Sequence, residues 1–173
     1  MATDTPRNLV WKHIRAIETG MMVTHDGETI HARPMRGIAR PEQNTIWFFA
    51  NSETHTEEEL RRNPRVCLTY SDVRDNVFVS VSGAIEIVRD RDALSDLWNE
   101  EADAYFEQGA DDPKAILLRF TPETGQYWEA PSSTVVIAIR FVEAKILGGK
   151  PNLGSSGKAD FPASQGTGAA SAR

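Results

Sequence analysis

From Val77 to Val88 apolar residues alternate as Val77, Val79, Val81, Ile85 and Ile87, with Gly83 in the middle of the run. A strand of this length does not stay flat. Gly83 is the place for a bulge or bend that keeps Ile85 and Ile87 on the inner face, and such a device curls a sheet towards a barrel. The rest of the chain agrees with a curled antiparallel sheet, because the expected strands follow one another with few intervening helices. A doubly wound parallel sheet would need a crossover helix after nearly every strand.

Thr5 and Pro6 open a helix whose Val10, Ile14 and Ile17 share one face, and Gly20 is expected to stop it. From Met21 the period changes to two. Asp26 and Gly27 join Met21 to Thr24 with Thr29 to Arg33 as a hairpin. Residues 36–44 read as a turn, 45–50 and 65–70 as strands, and Ser71 to Asp75 as a second turn. Asp90 to Gln108 carries Leu94, Leu97, Trp98, Ala102, Tyr105 and Phe106 at helical spacing, closed by Gly109. Strands near 115–121, 125–129 and 134–146 complete the pattern. The expected fold is mainly β with α: a β-barrel of six or seven antiparallel strands with about three peripheral helices.

A chain of 173 residues with 40% apolar residues supports one sizeable core. The expected domain is 1–147. Residues 148–173, rich in Gly, Ser and Ala, are expected to form a flexible C-terminal tail. A net charge of −6 with scattered arginines speaks against a nucleic-acid surface. Cys67 is the single cysteine, so no internal disulfide forms, and the N-terminus carries no apolar leader. The expected location is cytoplasmic, with no membrane span. His13, His25, His31 and His55 have no ligand spacing, so no metal site is expected.

Asn51 to Pro64, lying between two apolar runs, reads as a short capped helix between strands. Thr54 or Ser52 is its candidate cap, and its free amides and dipole make a candidate seat for a phosphate. Arg33, ending a strand before Pro34, would sit beside this helix if strands 29–35 and 45–50 are neighbours, where it could grip such an anion bidentately or make an ordinary surface ion pair. Glu57, Glu58 and Glu59 read as a solvated helix face, with Glu57 to Arg61 and Glu58 to Arg62 at i, i+4.

The order of these pieces resembles the general-stress-protein branch of the pyridoxamine 5′-phosphate oxidase-like, FMN-binding split barrels. The matching residues are Ala32 to Met35, Ile46 to Ala50, Glu59 with Leu60, Asn63 to Val66, Asn76 to Gly83, Leu97 with Trp98, Gly109 to Pro113, and Tyr127 with Trp128. They span residues 30–128. The resemblance implies a homodimer with FMN sites at the subunit interface. It implies that Arg33, Thr54, His55 and Thr56 hold the phosphate, although the family places a lysine where Thr56 stands. Phe49, Ala50 and Asn76 would meet the ring, with Trp98 or Trp128 beside it.

Each of these residues also has a plainer reading. Phe49 fits core, Asn76 fits a turn after Asp75, and Trp98 and Trp128 fit core or a dimer interface. No catalytic side chain is assigned, and no GxSxG, Walker or GxGxxG motif is present. Redox chemistry would therefore belong to the cofactor. The implied function is FMN binding in a stress-related protein, possible oxidoreductase activity with reduced nicotinamide or a small substrate included. The alternatives are a flavin reservoir or sensor, a barrel that has lost flavin and acts through protein contacts, or a deazaflavin site. Pyridoxamine-phosphate oxidase activity itself is not expected, because the tail lacks a basic substrate segment.

Overall fold

The structure, a computed structural model, describes residues 4–131 and 154–162. It begins with α1 (Pro6–Ile17), whose cap is Thr5, with its hydroxyl accepting from the Asn8 amide at 3.3 Å. The helix stops at Glu18, which takes a positive φ of 63°, and not at Gly20. Gly20 instead lies in the first strand against the Tyr70 ring, where a Cβ would come within 2.8 Å of it.

Eight strands form one antiparallel sheet among the described residues: β1 (Thr19–His25), β2 (Ile30–Arg36), β3 (Ile38–Arg40), β4 (Thr45–Asn51), β5 (Arg65–Asp72), β6 (Val77–Val88), β7 (Ala115–Glu129) and β8 (Ser155–Asp160). Seven of them run in the order β2-β1-β5-β6-β7-β4-β3, and β8 pairs with β7 off this path. The two ends of that path, β2 and β3, are separated in the chain by Gly37 alone, so the sheet returns on itself as a split barrel. A Cβ on Gly37 would stand 2.6 Å from Ile46 and 2.8 Å from Phe48, which explains glycine at this corner.

The hairpin at Asp26 forms as expected, with the Asp26 carboxylate accepting from the Glu28 and Thr29 amides. The ladder between β6 and β7 shifts register between Ser82 and Gly83, the bulge that the glycine implied. A side chain there would strike the Thr121 carbonyl, 2.1 Å from an added Cβ.

Met22, Ile46, Phe48, Leu68, Tyr70, Val79, Val81, Leu118 and Phe120 fill the barrel, and Val10, Trp11 and Ile14 of α1 join them. Outside the barrel a second cluster forms around Leu94, Phe106, Ala115 and Leu117. Strand alternation decides which residues belong to which: Ile46 and Phe48 point inwards, while Trp47 and Phe49 pack on the outer cluster.

Several expectations change. Residues 36–44 include strand β3 as well as a turn. The stretch 90–108 breaks into α3 (Arg91–Leu97) and α4 (Glu100–Asp103), because Asn99 caps a new helix by accepting from the Glu101 and Ala102 amides. Tyr105 consequently leaves the apolar face and is 81% exposed. Residues 115–121 and 125–129 are one continuous strand, β7, and the strand expected at 134–146 lies outside the described residues. Within the expected tail, β8 pairs with the half of β7 that β4 leaves free. Backbone pairing does not require large side chains, and Ala159 and Phe161 still bury themselves in the core.

Candidate functional site

The short helix forms as α2 (His55–Arg62), with Thr54 extended at its cap position. The Thr54 hydroxyl does not turn back onto the helix; it donates to the Asn51 carbonyl at 2.8 Å. No side chain caps the first turn, so the His55 and Thr56 amides keep unpaired donors among the described residues.

Beside this start lies a cleft of about 900 Å³. Its floor carries Phe49, Ala50 and Asn51 of β4, and Thr54 and Thr56 close one side. Pro34 to Arg40, the end of α1 and the α4 region supply the other walls. Pairing with β3 reaches only as far as Trp47, while β7 continues along the opposite edge to Asn51. Among the described residues Phe48 to Ala50 therefore present a strand edge with no strand partner on the cleft side, and backbone groups on that edge are available to a planar polar rim.

Phe49 stands between the cleft and the outer cluster. It lines the cleft and also meets the Trp98 ring edge-on, with centroids 5.2 Å apart. Trp98 itself stands behind that wall, 5.7 Å from Phe106, with its indole N–H donating to Asp103 at 2.7 Å. It shapes the wall without lining the cleft.

Arg33 reaches Thr56 but does not line the cleft, and its strand β2 pairs with β1 and not, as expected, with β4. Its Nη2 donates to Glu59 Oε2 at 2.6 Å and to Thr24 Oγ1 at 2.9 Å, while Nη1 donates to the Thr56 hydroxyl. Burial alone would push the Glu59 carboxyl up. Hydrogen bonds from Arg33 and Thr24, with the charges of Arg33 and His31, outweigh this and hold it below its ordinary range.

The acidic run is thus not a uniformly solvated face. Glu57 is 7% and Glu59 9% exposed, because α2 turns them with Leu60 towards the barrel. Glu58 alone of the three is exposed and pairs with Arg62. Glu57 accepts from Arg61, as expected, and also from Arg89.

His55 projects into solvent near Glu58 and does not line the cleft. Asn76 takes a positive φ of 52° at the start of β6 and donates to the Pro131 carbonyl, the turn role. Trp128 pairs across the ladder with Phe78, and both are 41% exposed. Phe49 pairs with Leu117, eleven residues before Trp128, which at about 3.3 Å per residue is roughly 36 Å along the strand. One subunit does not bring Asn76 or Trp128 to the cleft.

Sequence reasoning missed the far wall. Arg36 bridges Glu18 at 2.6 Å and Glu101 at 2.8 Å, and Tyr105 joins these residues along the cleft. Only the break at Asn99 could have signalled that Tyr105 was free.

The family described as pyridoxamine 5′-phosphate oxidase like matches residues 5–152. General stress protein 26 of Bacillus subtilis is 28% identical over 99 residues, covering 53% of this chain and 67% of its own length. The solved structure of a general stress FMN/FAD binding protein from Xanthomonas citri is 32% identical, covers 76% of this chain and 93% of that one, and superposes with a TM-score of 0.66. General stress protein 26 of Bacillus anthracis, 18% identical with a TM-score of 0.63 over 70% of this chain and 92% of that one, shares the fold. The chain therefore belongs to the pyridoxamine 5′-phosphate oxidase-like family, in its general-stress-protein branch.

Proposed function

We propose that the protein binds a flavin, FMN, in the cleft beside α2. The observation that carries this reading is the edge of β4 from Phe48 to Ala50, unpaired among the described residues and running towards the uncapped start of α2. The residues fit the ligand in two parts. A planar ring suits the Phe49 wall and the open backbone edge, and a phosphate or ribityl end suits the hydroxyls of Thr54 and Thr56 with the first-turn amides. The similarity to the Xanthomonas FMN/FAD binding protein supports the same ligand.

Asn76 and Trp128 lie too far along the sheet to share a ring with Phe49 in one subunit, so their participation requires a second copy. A homodimer supplies it, and the exposed Phe78 and Trp128 pair is apolar surface that such a contact would cover.

A bound flavin supplies hydride and electron transfer at its ring. The chain orients that ring with the β4 backbone, backs it with Phe49 and Trp98, and limits water access through the Tyr105 wall. The proposed activity is oxidoreduction with reduced nicotinamide or a small substrate in the cytoplasm, with no side-chain acid or base assigned. Storage or sensing of flavin without turnover is the second reading, favoured by Thr56 standing where the family carries a lysine.

Titration of purified protein with FMN, followed by flavin fluorescence and absorbance, tests the proposal. Saturable binding with a perturbed flavin spectrum supports it. Absence of binding turns attention to the barrel as a protein-contact module. Oxidation of reduced nicotinamide by the loaded protein separates enzyme from reservoir.

A further inference from the structure

The arginine best placed to attract a phosphate is already occupied. Both terminal nitrogens of Arg33 are engaged, and the partner that matches its charge is Glu59 at 2.6 Å. Glu59 lies three residues after Thr56 on α2, hence on the same side of the helix and one turn further from its start. Its carboxylate is buried, and Thr24 donates to the same oxygen at 2.8 Å. His31 stands 3.9 Å from the other oxygen, and Asp26 lies 3.7 Å from that imidazole. The cluster is a closed network with its own anion.

Both hydrogens of Nη2 are taken by Glu59 and Thr24, so a phosphate at Thr54 and Thr56 that pulls the guanidinium towards itself does so against the attraction of Glu59. That movement leaves a buried carboxylate with Thr24 and His31 as its remaining partners. The phosphate thus competes with an internal rival, whereas an uncharged hydroxyl end asks nothing of Arg33.

We propose that Glu59 is an intramolecular competitor of the phosphate and sets the ligand choice of this seat, so that the wild-type protein holds FMN and riboflavin with nearly equal affinity. The proposal rests on the flavin reading for its ligand, but its statement about phosphate stands separately.

The test uses the full chain and Glu59→Gln, which keeps shape and one acceptor while removing the charge. Two probes are applied. FMN and riboflavin are titrated by fluorescence, and inorganic phosphate is compared with chloride at matched ionic strength by thermal unfolding. The expected result is a wild-type FMN-to-riboflavin affinity ratio near one that rises about tenfold or more in Glu59→Gln, the gain from one charge-assisted contact. Phosphate should raise the midpoint of Glu59→Gln more than that of wild type. An unchanged ratio, or weaker FMN binding in Glu59→Gln, overturns the proposal and makes Glu59 an orienting partner of Arg33.

If riboflavin and FMN bind neither protein, the flavin reading fails and the phosphate arm decides alone. A larger shift in Glu59→Gln upholds the competitor, and equal shifts remove it. Should Glu59→Gln not fold, the wild-type ratio decides: near one supports the proposal, and a tenfold preference for FMN overturns it.

Discussion

Arg33→Ala leaves Glu59 where the fold has buried it but takes away its cation. Removing one partner of a buried pair typically costs about 3–5 kcal/mol. Here the side chains are 22% and 11% exposed and Thr24 still donates, so the cost should fall to roughly 2–3 kcal/mol. At about 2–4 °C per kcal/mol for a chain of this size, the melting midpoint drops by roughly 4–12 °C. The double variant Arg33→Ala with Glu59→Gln carries no stranded charge and should recover most of the loss.

The effect should also depend on pH with a defined sign. In the wild type the folded Glu59 carboxyl sits below its unfolded value of 4.5, so its stabilising contribution is present above that value and is lost as pH falls through the folded one. Without Arg33, burial acts with little opposition and raises the carboxyl, so the variant is penalised most at neutral pH. The gap between the two proteins therefore narrows as pH falls from about 7 to about 4. Thermal unfolding across that range checks the reasoning. A constant gap, or a double variant as unstable as the single one, would refute it.

Three further outcomes follow from particular atoms. The Tyr70 hydroxyl is buried with no partner among the described residues, so Tyr70→Phe should stabilise by about 1 kcal/mol or more in denaturant unfolding, and a loss would reveal a hydrogen bond there. Gly83→Ala places a methyl group 2.1 Å from the Thr121 carbonyl and should cost about 1–3 kcal/mol by the same measurement; tolerance would mean that the bulge is not rigid. Thr56→Lys puts a cation on the cleft wall beside Arg33 and should tighten FMN about tenfold while leaving riboflavin unchanged in parallel titrations.

The barrel was legible because its signals are local. Asp26 with Gly27 makes a hairpin, Gly83 makes a bulge, and alternating valines name their own inner face. The pieces of the proposed seat were legible as well, since a strand arginine and a hydroxyl-rich helix start can be recognised by type. What escaped depends on contacts remote in sequence. Arg33 and Glu59 are 26 positions apart, and only the packing of α2 against β1 and β2 shows that they neutralise each other. The acidic run looked solvated because a helix's polar residues usually are, but its neighbours supplied Arg89 and Arg33 to two of the three. β8 escaped for another reason. Ser, Gly and Ala give no apolar alternation to read, yet the open edge of β7 pairs with them through the backbone alone.

The central claim is that flavin lies along the β4 edge and ends at the start of α2. Backbone hydrogen exchange of the protein with and without saturating FMN addresses this directly, because the amides in question are those of Phe48 to Thr56. Slowed exchange concentrated in residues 48–56, with the cleft walls near Pro34 to Arg40 following, is the predicted result. Unchanged exchange in 48–56, with protection elsewhere or nowhere, would contradict it.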